Sequence, residues 1–390
     1  MTEPSAKAAP ASRDLAWITQ CLQHAIELEC ATLPVYLSAL FSLQVQNGTA
    51  YTALRSVAME EMVHMAIAAN TLTALGGSPQ IANLQFGFPV KGLPGGVEPD
   101  LHIGLCKLSK SQLRNFLRIE TPAFLLDQMD LGEEYPTIGK LYADIRQAIL
   151  DNADAVRTAV KAGGPANQVD DNIGFHPIKT APDSDPVTQI LAGLDEIVEQ
   201  GEGSTSESMF TGEGSEDEAC HCNRFAELYY GANYVDPVPT VKMTIKNERL
   251  FYSGRPIPFP EVTNTLAVPS DGYAKILAID PNSAAVAADL NAFDAAFSSI
   301  LAGLDAVWNG PQADSWKTLG GAVHDMVDLR VLSCFNLLRH QVPETAVAQL
   351  KSLYPDEFAW LAEFSDLNAP LYYGPRFSNT NASRATVKPS

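Results

Sequence analysis

The chain has 390 residues, 46% of them hydrophobic, which is enough for a sizeable buried core and for two or three domains. Lys and Arg total 26 against 46 Asp and Glu, so the net charge of -20 argues against nucleic acid and anionic membranes as partners. Six cysteines with no Cys-x-x-Cys spacing indicate neither a disulfide framework nor a zinc ribbon, and reduced thiols are expected.

Residues 1–13 lack the apolar core of a signal peptide and read as a disordered arm. No window approaches a membrane span of about 20 apolar residues, so a cytoplasmic location is expected. In the first helix Leu22, Ile26, Glu29, Leu33, Tyr36, Leu40 and Leu43 follow the helical period, which places Glu29 inside the apolar stripe; Glu27 falls on another, solvated face. Pro34 should kink this helix. In the second, Leu54, Val57, Ala58, Glu61, His64, Met65, Ala68 and Leu72 share a face, and Gly76-Gly-Ser-Pro supplies the stop. A long loop with a strand-like run, Leu101-His-Ile-Gly-Leu-Cys, occupies 81–108; with an insertion at 136–215 and the C-terminal appendage it is expected to wall a substrate pocket. The third helix carries Leu113, Phe116, Leu117, Glu120 and Phe124, with Thr121-Pro122 placing Glu120 at a kink.

Residues 136–160 and 186–199 read as inserted helices. An acidic, glycine-rich stretch at 201–219 leads into a fourth bundle helix with Glu218, His221, Phe225 and Leu228 on one face. Ser215-Glu-Asp-Glu218 is also a capping box; if Glu218 caps the helix, Glu227 is the substitute carboxylate. Strand-like alternation over 235–260 suggests a β-hairpin leaving the bundle. Two amphipathic helices follow, at 283–304 and 315–339, the second weakened by Gly320-Gly321. The polar residues 374–390 read as a disordered tail. The expected architecture is mainly α: a four-helix bundle over 14–235 with insertions at 81–108 and 136–215, an irregular or hairpin segment at 236–281, and a helical appendage at 282–373.

The chemistry lies in the order Glu29, Glu61-Met-Val-His64, Glu120, Glu218-Ala-Cys-His221. Residues three apart lie about 60° apart around a helix, so a carboxylate and an imidazole at i and i+3 converge on one ion, and unpaired glutamates can bridge two such ions. Buried carboxylates are costly unless paired, and cations relieve that cost. One Glu-x-x-His pair would be a chance occurrence or a buried ion pair; four elements in this order propose a site for two metal ions, iron first, with manganese or zinc also suited to the donors. Tyr36, two turns beyond Glu29, either packs in the core or acts beside the metals as a ligand orienter or redox-active phenol. Cys220 and Cys222 flank His221 on diverging faces and read as packing residues, and the remaining histidines as structural.

Glu29-Cys-Ala-Thr-Leu-Pro-Val-Tyr36 and Glu60-Glu61-Met-Val-His64 resemble the first two helices of ferritins. Together with Leu93-Pro-Gly-Gly, Ile119-Glu-Thr-Pro, Gln200-Gly-Glu-Gly and His221-Cys-Asn-Arg-Phe-Ala-Glu-Leu, they resemble the ferritin-like domain family associated with iminophenyl-pyruvate dimer synthases, over about residues 15–235. The resemblance implies a ferritin-like bundle and an oxidoreductase using dioxygen or peroxide on a small organic, aromatic amino-acid-derived substrate. Iron storage or a non-catalytic metal-binding scaffold are the competing functions. The insertions should obstruct cage packing, so a monomer or small homo-oligomer is expected.

Overall fold

Helix α1 (Leu15–Phe41) is the axis of the molecule: from Leu28 to Tyr36 every residue is buried. The Asp14 carboxylate caps it by accepting from the Trp17 amide at 3.1 Å, and it runs through Pro34 without interruption. Helix α2 (Thr49–Ala74) returns along it after a short connection. The structure, a computed structural model, describes residues 13–381 apart from 123–124, 126–136, 164–166, 170–173, 204–218, 236–242, 245 and 312–314.

Residues 90–103 form an antiparallel hairpin, β1 (Val90–Leu93) and β2 (Val97–Ile103), turned by Gly95 at φ 77°. The hairpin packs on α1 through its turn and on α3 through β2. Helix α3 (Lys110–Ile119) is capped by Ser109, whose hydroxyl accepts from the Gln112 amide at 3.0 Å. It ends at Glu120, so that residue sits at a helix terminus instead of the expected kink; the following Thr121-Pro122 disfavours another turn. Then come α4 (Ile138–Asp151), α5 (Ala153–Gly163), α6 (Pro186–Glu202) and α7 (His221–Tyr230), the last closed by Gly231 at φ 76°. Helices α3 and α7 pack together, while α4 packs on α1 and α6 on α2 and α7. The segment expected as an insertion therefore belongs to the wall of the bundle.

Of the hairpin expected over 235–260, residues 236–242 and 245 lie outside the described residues, and the described remainder carries no strand. The chain makes a 3-10 turn at Glu248–Phe251 and pairs irregularly with 231–235, Val235 N donating to Phe251 O at 2.7 Å and Ile257 N to Gly231 O at 2.8 Å. The turn is set by Asn247, whose side-chain oxygen accepts from the Thr244 amide at 2.7 Å.

Helices α8 (Ser283–Asn309), α9 (Ser315–Val331) and α10 (Phe358–Phe364) form the C-terminal part, and they share one hydrophobic core with the bundle. The buried Trp308 indole donates to Asn70 Oδ1 at 2.9 Å, and Asn70 in turn donates to the carbonyls of Val169 and Phe175 at 3.0 and 2.8 Å. One polar side chain of α2 thus pins α8 and the segment before α6. Helix α8, with a mean hydropathy of 1.2 over its most apolar window, is long and apolar enough by composition to cross a membrane, which the sequence reading did not anticipate. Here it packs Leu290, Phe293, Leu301 and Trp308 into the core.

Residues 374–381 are anchored, correcting the expected disordered tail over its described part. Phe377 inserts between Phe293 and Phe297, with ring centroids at 4.8 and 5.2 Å, Arg376 pairs with Asp294 at 2.5 Å, and Asn379 donates to the carbonyls of Ala82 and Leu84. Polar composition hid these few anchoring contacts.

Candidate metal centre

Helical phase brings five of the six candidate donors named from the sequence close together. Glu29 from α1, Glu61 and His64 from α2, Glu120 at the end of α3 and His221 at the first turn of α7 are all buried. They form two triads, Glu29 with Glu61 and His64, and Glu61 with Glu120 and His221, in each of which one donor atom per residue lies within 4.8 Å of the others. Glu61 is common to both. The lone glutamates, expected as the bridges, each belong to a single triad. Glu218 lies outside the described residues. Glu227, its proposed substitute, accepts from Asn233 Nδ2 at 3.0 Å and from the Tyr234 amide at 2.7 Å, so it closes the end of α7 and is not part of the cluster.

The orientation of the donors is set by partners outside the cluster. Tyr142 donates to Glu29 Oε1 at 2.5 Å, leaving Oε2 turned toward His64 Nδ1 at 3.9 Å. Tyr36 likewise donates to Glu120 Oε1, leaving Oε2 at 3.6 Å from His221 Nδ1. Tyr36 also packs edge-on against Phe116, so it is both a core residue and a carboxylate holder. The imidazoles follow the same rule: His64 Nε2 meets Gln200 Oε1 at 2.9 Å and His221 Nε2 meets Glu60 Oε2 at 3.0 Å. Gln200 spends its amide donor on Glu196 at 3.1 Å, so its oxygen is free to accept from His64, and Arg224 holds Glu60 at 2.7 Å. Each ring that gives its Nε2 proton outward presents the Nδ1 lone pair to the cluster, the arrangement a metal ligand needs.

Two buried atoms of the cluster lack any hydrogen-bond partner, Glu61 Oε2 and His221 Nδ1. His221 Nδ1 lies 2.9 Å from Glu61 Oε1 without the alignment of a hydrogen bond, so neither donor atom is committed to the other. Beside them is a chamber of about 10 Å³, closed by Ile138, Gly139, Ile197, Val198 and Gly201, with room for a single water-sized occupant. The loop at 81–108 does not line it. Three carboxylates buried without a Lys or Arg among them are a charge arrangement that cations complete, and the donor set suits iron, manganese or zinc.

The electrostatics agree. Burial and the Glu61 charge push Glu29 well above the usual carboxylate range and raise Glu120 as well. Burial opposes the charge on Glu61, yet the His221 and His64 imidazoles beside it outweigh that and hold its carboxyl well below that range. Burial also opposes a charged His221, but Glu120, Glu60 and Glu61 hold it protonated well above its ordinary value. Glu29, Glu120 and His221 are thus all biased toward their protonated forms, and any proton they hold must leave when a metal binds. Apparent metal affinity should therefore climb with pH by about tenfold per unit for each proton released. Competition with a chromophoric chelator at several pH values measures this, and a pH-independent affinity would contradict the assignment.

Tyr142, Gln200, Glu60 and Arg224 had no role assigned from sequence. Gln200 and Arg224 stand in motifs that the family resemblance singled out, and Glu60 precedes a ligand; Tyr142 carried no signal, since it lies in what read as an insertion.

Comparison with known proteins follows the same lines. A family model described as ferritin-like matches residues 22–230. Dichlorochromopyrrolate synthase of Lentzea aerocolonigenes is 23% identical over 240 residues; the match spans 51% of this chain and only 23% of that protein's length. A crystal structure of a ferritin-like protein from Caulobacter vibrioides superposes with a TM-score of 0.55 at 21% identity, covering 81% of this chain and 95% of the other.

Proposed function

The chain belongs to the ferritin-like family, and from that premise we propose that it is a dinuclear metal carboxylate oxidoreductase, with iron as the metal and dioxygen or peroxide as the oxidant of a small organic substrate. The observation that carries the reading is the pair of triads meeting at Glu61, with its orphaned Oε2 and the orphaned His221 Nδ1. One ion would be held by Glu29, Glu61 and His64, the other by Glu61, Glu120 and His221. A bound pair of iron ions supplies redox equivalents and a place for the oxidant to bind.

The remaining chemistry belongs to the chain. Tyr36 and Tyr142 fix the outer carboxylates through one oxygen each, so that the other oxygen is directed and does not rotate away. Burial and the nearby carboxylates push both phenols well above their ordinary range, so each keeps its proton on the carboxylate hydrogen bond. Ile138, Ile197 and Val198 give the chamber an apolar wall and leave room for no more than one water-sized body. An aromatic amino acid or its imine is the substrate class to try first, supported by the kinship with a synthase of a dichlorinated chromopyrrolate.

The iron(II)-loaded protein, prepared without air, should consume oxygen in an electrode cell, faster with substrate present. Tyr36→Phe should slow consumption by about tenfold or more with metal content kept, because it removes only the phenol that orients Glu120. An iron-loaded protein inert to both oxygen and peroxide, or one that retains only zinc, would remove the oxidase reading.

A further inference from the structure

A second cavity lies on the other side of the α1–α2 pair, where α8 and α9 lean against the bundle. It measures about 210 Å³ and is walled by apolar side chains including Leu33, Leu37, Ala58, Met62, Leu301 and Met326. None of the metal-centre residues lines it. An apolar cavity of about 150 Å³ stays dry and accepts a benzene-sized guest, so this one has room for a larger apolar body. Its mouth is marked by lining residues that reach solvent, Arg55 among them, with Met59, Val323 and Val327 each about half exposed.

The polar groups of the cavity are of one sign. Among its described lining residues are two arginines, Arg55 and Arg330, and no carboxylate, in a chain with 46 acidic and 26 basic residues. Neither arginine has a carboxylate partner among the described residues. Arg330 donates from Nη1 to the Tyr51 hydroxyl at 3.2 Å, while its Nε is buried with no hydrogen-bond partner. A buried guanidinium donor left open beside an apolar chamber is costly unless something accepts from it. Tyr51, also in the lining, has its hydroxyl proton to give to the same acceptor.

We propose that this cavity is a binding site for a small amphipathic monocarboxylate, its aliphatic or monocyclic aromatic body among the Leu and Met side chains and its carboxylate on Arg330, Tyr51 and Arg55. An alcohol of the same length would satisfy the apolar wall but not the guanidinium, and an amine would be repelled. The site is separate from the metal chamber but shares its wall, since Cys30 and Met62 in the lining adjoin Glu29 and Glu61 in sequence.

Isothermal titration of the full chain with octanoate, octan-1-ol and octylamine tests this without any metal-dependent readout. Octanoate should bind at least about tenfold more tightly than the alcohol, the margin of a charge-assisted hydrogen bond, and the amine should not bind. Arg330→Leu should erase the preference for the acid and leave the alcohol unchanged, and the exposed Arg55→Leu, which carries little folding risk, should weaken the acid alone. Val327→Trp at the mouth should weaken all binding. Equal affinity for the three probes, or no binding of octanoate by a folded protein, would overturn the proposal. So would light scattering that shows a dimer which Val327→Asp splits into monomers, because the face would then be a contact between copies.

Discussion

Protein purified from iron-sufficient cells should carry about two transition-metal ions per chain, and His64→Ala and His221→Ala should each remove most of one of them. The reason is geometric. Each imidazole is the sole nitrogen donor of its triad, and each is locked in place by an outer partner, Gln200 or Glu60, so no neighbouring side chain can rotate in to replace it. Glu61→Ala should be harsher, because Glu61 is the carboxylate common to both triads, and its loss should empty both positions. Elemental analysis of the dialysed variants decides the matter. Full occupancy in both histidine variants would show that the buried cluster is a hydrogen-bonded polar core and not a metal centre.

How much of this was readable beforehand depends on the kind of interaction. Positions whose role follows from helical phase were legible: Glu29, Glu61 and His64 lie on long apolar stripes, and His221 lies on the face it shares with Phe225. Glu120 was placed as a ligand but its backbone was not, since a helix that ends at a residue and one that kinks there carry the same Thr-Pro signal. The orienting partners were not legible. Tyr142 and Glu29 are 113 residues apart and Gln200 and His64 are 136 apart, and no local periodicity encodes such an approach. Which residues of α4 and α6 wall the chamber was hidden for the same reason, because only the docking of these helices on α1 and α2 brings Ile138, Ile197 and Val198 to it. In the described part of the 236–281 segment, the Asn247 turn and the irregular pairing with 231–235 likewise rest on contacts that alternation alone does not encode. Gly320 and Gly321 weaken α9 on propensity grounds, yet the helix runs through both.

Removing the metal should lower the protein's stability, and one isosteric substitution should reverse the order of stabilities. A ligand that binds only the folded chain adds about 4 kcal/mol when its free concentration is a thousand times its dissociation constant, so chelation should shift thermal unfolding down by several degrees. Glu29→Gln should behave oppositely. Burial and the Glu61 charge hold the Glu29 carboxyl well above its usual range. For an acid raised in the folded state the sign is clear: as pH climbs above about 4.3, the unfolded chain sheds a proton that the folded chain must keep or lose at a cost, so stability falls until the folded group also ionises. Glutamine copies the protonated acid and still accepts the Tyr142 hydrogen bond, so at pH 8 the chelated variant should unfold at a higher temperature than the chelated parent. It cannot replace a carboxylate toward a cation, so added iron(II) should raise its unfolding temperature much less than the parent's. The two curves should cross: variant above parent after chelation, parent above variant when loaded. Calorimetry of both proteins in both states would detect that crossing. If the parent's unfolding temperature ignores chelation while Glu29→Gln still raises it, the three carboxylates are a strained polar core that no metal relieves.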